Sequence, residues 1–227
     1  MSQETPNKER RTSVDEVFDH LYGEISSLRM LPGDKISEAE IAAQFGISRQ
    51  PVRDAFSRLG TMDMLVVRPQ RATEVKRFSL REITKSRFVR AAVEVKVLQQ
   101  AAQECDAQDV ARLDACLAEQ RAVVAARDYA RFGKLDYEFH KALCEIAKAD
   151  FAFEVISLEK SKVDRLCLLG LANEDRMPKL LSDHEAIADA VKAGNSEAAA
   201  AACLKHLSRL DATIEAVTKS NTRYFDP

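Results

Sequence analysis

The sequence predicts a mainly α protein, with an N-terminal winged helix-turn-helix followed by an all-helical bundle of six helices. Three observations carry that prediction. Apolar positions recur at helical spacing over most of the 227 residues. The pattern changes to that of short strands only between Met64 and Lys76. Only 7 Gly and 6 Pro punctuate a chain rich in Ala, Leu, Glu, Lys, Arg and Gln, the residues that form helices best. A sandwich, a barrel or a collagen-like chain is disfavoured by the same composition.

Residues 1–12 are almost devoid of apolar side chains and read as a disordered tail. Val14, Val17, Phe18, Leu21, Tyr22, Ile25 and Leu28 then define a helix that ends before the turn signal Leu31-Pro32-Gly33. Ser37 caps a short helix carrying Ile41, Ala42 and Phe45, with Glu40 placed as in a capping box, and Gly46 stops it. Ser48 caps the next helix, Arg49 to about Gly60, where Pro51 sits in the tolerant first turn. Met64–Arg68 and Thr73–Lys76 read as two strands around Pro69-Gln70-Arg71-Ala72. Residues 13–78 therefore form one unit, three helices and a wing. Residues 79–220 follow as helices Leu80–Glu104, Ala107–Ala126, Tyr129–Ala147, Phe151–Leu169, Asp175–Lys192 and Ser196–Lys219, enough to bury a core. Residues 221–227 read as a frayed tail.

The net charge of −2 hides an asymmetry. Between Ser48 and Arg77 stand Arg49, Arg53, Arg58, Arg68, Arg71, Lys76 and Arg77 against Asp54, Asp63 and Glu74, a local basic excess of the kind that meets nucleic acid. The 5 Cys are odd in number, form no C-x-x-C pair and lie in apolar runs, so reduced thiols in a cytoplasmic protein are expected. Neither a signal peptide nor an 18-residue apolar span is visible.

Two constellations carry chemistry. In the first, a short helix, the Gly46 turn and the helix from Arg49 would place the second helix in the major groove of DNA. Ser48, at its N-terminus, suits a phosphate. Arg49 and Arg53, four apart, share a face and match the acceptor pair of guanine, while Arg68 and Arg71 on the wing are candidates for phosphate or minor-groove contact. In the second, Asp136 and His140 are i, i+4 on one helix. His184 precedes Gly194 by ten residues and His206 follows it by twelve, which brings the two imidazoles near one level of a helical hairpin. Three imidazoles and a carboxylate suit a divalent transition metal such as Zn, Ni or Mn; by spacing alone they suit satisfied core histidines as well. Arg90 and Glu94 (i, i+4), with Lys162, Asp164 and Arg165, are polar residues on apolar helices that can line the same cavity, and Arg165 can clamp a carboxylate in bidentate fashion; Arg90 with Glu94 suits a buried structural ion pair or a dimer salt bridge at least as well.

Pro32-Gly33, Ser37-Glu38, Ile41-Ala42, Phe45-Gly46-Ile47-Ser48-Arg49-Gln50-Pro51-Val52-Arg53-Asp54-Ala55 and Leu59 together resemble the DNA-binding pattern of GntR-type transcriptional regulators. That resemblance implies Ser48, Arg49, Gln50 and Arg53 as DNA contacts. Two departures stand out: Asp63 replaces a glycine usual after the recognition helix, and Ala72 a common wing glycine. From Leu80 onward, Arg90, Glu94, Asp136-x-x-Phe-His140, His184-x-x-Ile187 and His206-Leu207 resemble the FCD effector domain of the FadR subgroup. The resemblance implies a metal held by Asp136, His140, His184 and His206 and a small organic acid as effector, for which Arg90, Glu94 and Arg165 are the candidate contacts; a homodimer on double-stranded operator DNA is expected. The expected function is a ligand-responsive regulator, a repressor rather than an enzyme. Two alternatives are a metal-dependent hydrolase with an appended DNA-binding module and a DNA-binding dimer whose helical domain is purely structural.

Overall fold

The computed structural model describes residues 12–68, 71–169 and 176–226. The chain divides into two compact units, Met1–Phe78 with Tyr224–Pro227, and Ser79–Arg223.

The first unit is built from α1 (Ser13–Ser26), β1 (Lys35–Ile36), α2 (Glu38–Phe45), α3 (Arg49–Thr61), β2 (Leu65–Val66) and β3 (Thr73–Val75). Thr12, the one described residue of the expected tail, caps α1 in a reciprocal box with Asp15. The remainder of that tail lies outside the described residues. Apolar residues from every element fill one core, with Val17, Leu21, Ile25, Val52, Ala55 and Leu59 fully buried and Phe56 nearly so. A side chain of this kind contributes roughly 1.5–3 kcal/mol when taken from water. The sheet is antiparallel in the order β1-β3-β2, Ile36 facing Thr73 and Leu65 facing Val75. Strand β1 is two residues long, too short to leave a pattern in the sequence. Ser37 and Ser48 do occupy N-cap positions, but neither side chain bonds to its helix, so the expected capping box at Ser37 with Glu40 is not formed. Gly46 ends α2 in the left-handed region, φ 65°, as a tight turn requires. Asp63 also lies there, φ 63°, which explains why glycine suits this position; the carboxylate compensates by pairing with Lys76.

Helices α4 (Leu80–Glu104), α5 (Ala107–Ala125), α6 (Tyr129–Ile146), α7 (Asp150–Leu169), α8 (Arg176–Lys192), α9 (Ser196–Ser208) and α10 (Leu210–Ser220) make the second unit. The single helix expected over Ser196–Lys219 is thus two, divided at Arg209. That residue is pulled into a bidentate bond with Asp183 of α8, at 2.9 and 3.1 Å. Asp106 and Asp128 cap α5 and α6 through their side chains. Val97, Ala101, Leu113, Leu117, Phe139, Leu143, Ile187, Val191 and Cys203 form the main core. The hairpin between α8 and α9 turns at Gly194, φ 69°.

Residues 222–226 are not frayed. Thr222–Tyr224 make a 3-10 turn. The Phe78 N–H donates to the Tyr224 carbonyl and the Asp226 N–H to the Phe78 carbonyl, both at 2.8 Å. Phe78 and Phe225 meet with their rings tilted by 47°, 5.6 Å between centres, and Tyr224 and Phe225 are buried. The sequence carries no periodicity over so short a segment.

Candidate functional site

In the first unit, burial of Val52, Ala55, Phe56 and Leu59 turns the opposite face of α3 outward, where Ser48, Arg49, Gln50 and Arg53 are all exposed. The Ser48 hydroxyl makes no cap bond, so first-turn N–H groups are left for an anion. Gln50 donates to Asp54 at 2.9 Å. Arg53 is held as a fork by Glu38 of α2, at 3.3 and 3.0 Å, and this partner raises its pKa. Much of the basic excess is already committed. Arg58 pairs with Asp15 at 2.9 Å and lies 4.1 Å above the Phe18 ring, Lys76 pairs with Asp63, and Arg77 with Glu74. The wing arginines Arg68 and Arg71 share a groove with Arg53, Glu38 and Lys35. Lys35 belongs to β1 and went unnoticed in the sequence because that strand did.

In the second unit, α6 presents Asp136 and His140, α8 His184 and α9 His206. One ligand atom from each lies within 4.8 Å of the others, and all four residues are buried. Ring centres are 5.7 Å apart for His140 and His184, 5.4 Å for His140 and His206, and 4.9 Å for His184 and His206. Phe139 stacks on His184 at 4.5 Å, fixing its plane.

Three of the four side chains are oriented from behind. His140 Nδ1 is 3.0 Å from Glu94, which also accepts from Arg90 Nε at 2.7 Å. His184 Nδ1 is 2.7 Å from the Gln120 carbonyl oxygen, so that nitrogen carries the proton and the other ring nitrogen is the acceptor. Asp136 lies 2.8 Å from the Lys160 ammonium and 3.2 Å from His184 Nε2. Nε2 of His140, Nε2 of His184 and Nδ1 of His206 are buried without a hydrogen-bond partner, which is costly unless something binds them. Burial lowers the pKa of His184, and burial with the two neighbouring imidazoles lowers that of His206 further. Neutral imidazole is the form that ligates metal. Burial works to raise Asp136, but the charge of Lys160 and the neighbouring imidazole of His184 prevail and hold it well below the usual carboxylate range. Lys160 stays charged because Asp136 and Asp164 outweigh its own burial. Ligands about 2.0–2.2 Å from an ion stand at most about 4.4 Å apart, so a contraction of a few tenths of an ångström would let this donor set close on a divalent ion.

Beside the cluster opens a cavity of about 420 Å³ whose walls include Arg90, Asp136, Lys160, Asp164, Arg176 and His206, within the usual size of a small-molecule site. The placement of the expected effector residues is mixed. Arg90 is on the wall. Glu94 stands behind it, joining Arg90 to His140. Arg165 is buried on α7 but not among the lining residues, and Lys162 pairs with Glu159 instead. The residue that sequence reasoning missed is Lys160, whose i, i+4 spacing from Asp164 looks like an ordinary surface pair.

A winged reader with an exposed basic helix face and a separate helical unit holding a ligand-sized cavity defines a DNA-binding transcriptional regulator. Residues 13–75 match the family described as bacterial regulatory proteins, gntR family, and residues 87–209 match the FCD domain. The chain belongs to the GntR family of transcriptional regulators and carries an FCD domain. It is 28% identical over 225 residues to the HTH-type transcriptional repressor RspR of Escherichia coli K12, covering 99% of each chain. To the galactonate operon transcriptional repressor of the same organism it is 22% identical, covering 90% of this chain and 98% of that one. Its fold is similar to that of E. coli McbR/YncC, with a TM-score of 0.73 at 20% identity over 91% of this chain and 99% of the other. No described helix is long and apolar enough to cross a membrane.

Proposed function

We propose that this regulator is a metal-dependent, effector-released repressor that binds operator DNA as a homodimer. The observation that carries the reading is the convergence of three unpartnered buried imidazole nitrogens with Asp136. In the helical unit Asp136, His140, His184 and His206 would hold a divalent Zn, Ni or Mn ion, whose part is to offer open coordination positions to the carboxylate of a small organic acid. Glu94 and Gln120 keep two imidazoles in the ligating tautomer. Ser48, Arg49, Gln50 and Arg53 read the operator, with Arg68 and Arg71 on the wing. Glu38 presets the Arg53 fork, which reduces the ordering cost on binding.

Repression is supported by the names of the two relatives above. The dimer is supported by a row of exposed apolar side chains, Phe151, Val155 and Leu158 at i, i+4 and i+7 on α7, with Phe88 exposed on α4, which packs along it; such a patch suits a partner surface. An effector releases DNA only through its differential affinity for the two states.

The test is metal content per chain in protein purified without chelator, beside a His140→Ala/His184→Ala control, followed by titration on an operator selected from random duplexes. About one ion per protomer, lost in the control, with operator release by an organic acid, is expected. An unchanged operator affinity in every acid tried, or no ion uptake, refutes the reading.

A further inference from the structure

Among the described residues, the charges around the cavity balance before any ion is added. Four cations reach its wall: Arg90, Lys160, Arg176 and Arg209. Asp136 and Asp164 line it as well, and Glu94 and Asp183 stand directly behind, bonded to Arg90 and Arg209. Four positive groups thus meet four carboxylates. A divalent ion at the histidine cluster brings two further positive charges and finds no carboxylate left for them among the described residues. Burying unmatched charge is expensive, so the molecule that completes the site has to supply it.

The four cations are not equally available: Arg176 is turned to the Cys167 sulfur, and the other three differ in how firmly they are held. Arg209 is locked by both oxygens of Asp183. Arg90 is buried and bonded to Glu94 at 2.7 Å. Lys160 differs, because its partners are compromised. Asp136, at 2.8 Å, belongs to the ligand set, and a carboxylate that holds an ion has less to give an ammonium. Asp164, at 2.7 Å, has a side chain 40% exposed and also accepts from the Tyr137 hydroxyl at 2.8 Å, so water screens it. Tyr137 lies beneath the ammonium, 4.1 Å from its ring centre, and keeps it at the wall.

From this we infer that the effector is a dicarboxylate, with one acid group directed to the ion and the second to the Lys160 ammonium, and that Lys160 is the residue that selects it over a monocarboxylate. The inference rests on the metal site proposed above. It requires two separated charges, because Asp136 stands between the ammonium and the histidines; a phosphate ester concentrates its charge on one group.

The experiment uses the full chain loaded with Zn or Mn, its ion content measured first, and calorimetric titration with succinate and L-malate against butyrate and 3-hydroxybutyrate. The dicarboxylates should bind at least about tenfold more tightly, the low end of what a hydrogen bond between charged groups contributes. Lys160→Met should reduce that preference below about threefold while retaining the ion, and Lys160→Arg should keep it. Equal binding of the matched acids by the loaded wild-type chain overturns the inference, whether or not Lys160→Met folds. So does a preference that survives Lys160→Met, or tighter binding of glycerol 3-phosphate than of L-malate. Failure to take up an ion would refute the metal site itself, and the inference with it; uptake without discrimination would refute the inference alone.

Discussion

Glu94→Gln is the substitution whose consequence the structure constrains most tightly. The side chain is almost fully buried and joins two others equally buried, accepting from Arg90 Nε at 2.7 Å and lying 3.0 Å from His140 Nδ1. The amide is nearly the same size, so no void opens, and its oxygen can still accept one bond. What disappears is the negative charge, leaving the Arg90 guanidinium buried with Asp136 and Asp164 too distant to replace the ion pair. Removing one member of a buried pair costs about 3–5 kcal/mol. For a unit of this size each kcal/mol moves the melting temperature by roughly 2–4 °C, so the helical unit should melt roughly 6–20 °C lower. Circular dichroism on the metal-free chain reads this directly, with Glu104→Gln, on the surface, as the control. A shift no larger than the control's would mean that water reaches Arg90, and the buried charge chain on which the site's geometry depends would have to be abandoned.

Four further outcomes follow from the same coordinates. Gln120→Leu removes the oxygen 2.7 Å from His184 Nδ1 and should lower metal affinity by about 10–100-fold, as loss of such orienting groups does, measured by competition with a fluorescent chelator. The metal-free chain should lose stability as pH falls below 6.5, the ordinary histidine value, because His184 and His206 resist protonation when folded but not when unfolded; the melting temperature from pH 7.5 to pH 5 should fall, and a flat profile would contradict neutral buried imidazoles. Arg49→Ala and Arg53→Ala should each weaken operator binding by about 1–3 kcal/mol with a smaller loss on random DNA, whereas an equal loss on both would make them phosphate contacts. Asp63→Val places a β-branched side chain at φ 63° and should cost roughly 1–3 kcal/mol in the melting of the first unit, while Asp63→Gly exchanges strain for the lost Lys76 pair and should stay within about 1 kcal/mol.

Much of this was legible in the sequence because it depends on spacing along single helices. Ser48 and Gly46 mark the ends of α3 and α2 whatever the rest of the chain does. The offsets of His184 and His206 from Gly194 set their rings at one level as soon as α8 and α9 form a hairpin, and the centres do lie 4.9 Å apart. What escaped depends on which face of a helix meets its neighbours. Along α7, Lys160, Asp164 and Cys167 share the face that lines the cavity, and Arg165, one residue further on than Asp164, is turned about 100° away. Sequence alone shows a polar interruption there and cannot say which side is inside. Nor can it show that Arg209 is drawn to Asp183, dividing what reads as one long helix.

The return of the chain to Phe78 makes the helical unit an insertion within the reader rather than an appendage to it. Synthesis places residues up to Phe78 before the helical unit and Tyr224–Phe225 after it, so the reader waits for the whole intervening bundle before this piece arrives. Until then the Phe78 ring lacks the cover it has in the finished protein, and its N–H and carbonyl lack the partners supplied by Tyr224 and Asp226. A fragment cut after residue 78 would stay permanently at that stage, with an aromatic side chain and two backbone groups exposed at its end. The reader's last few contacts are therefore made only by a chain that has also finished its helical half.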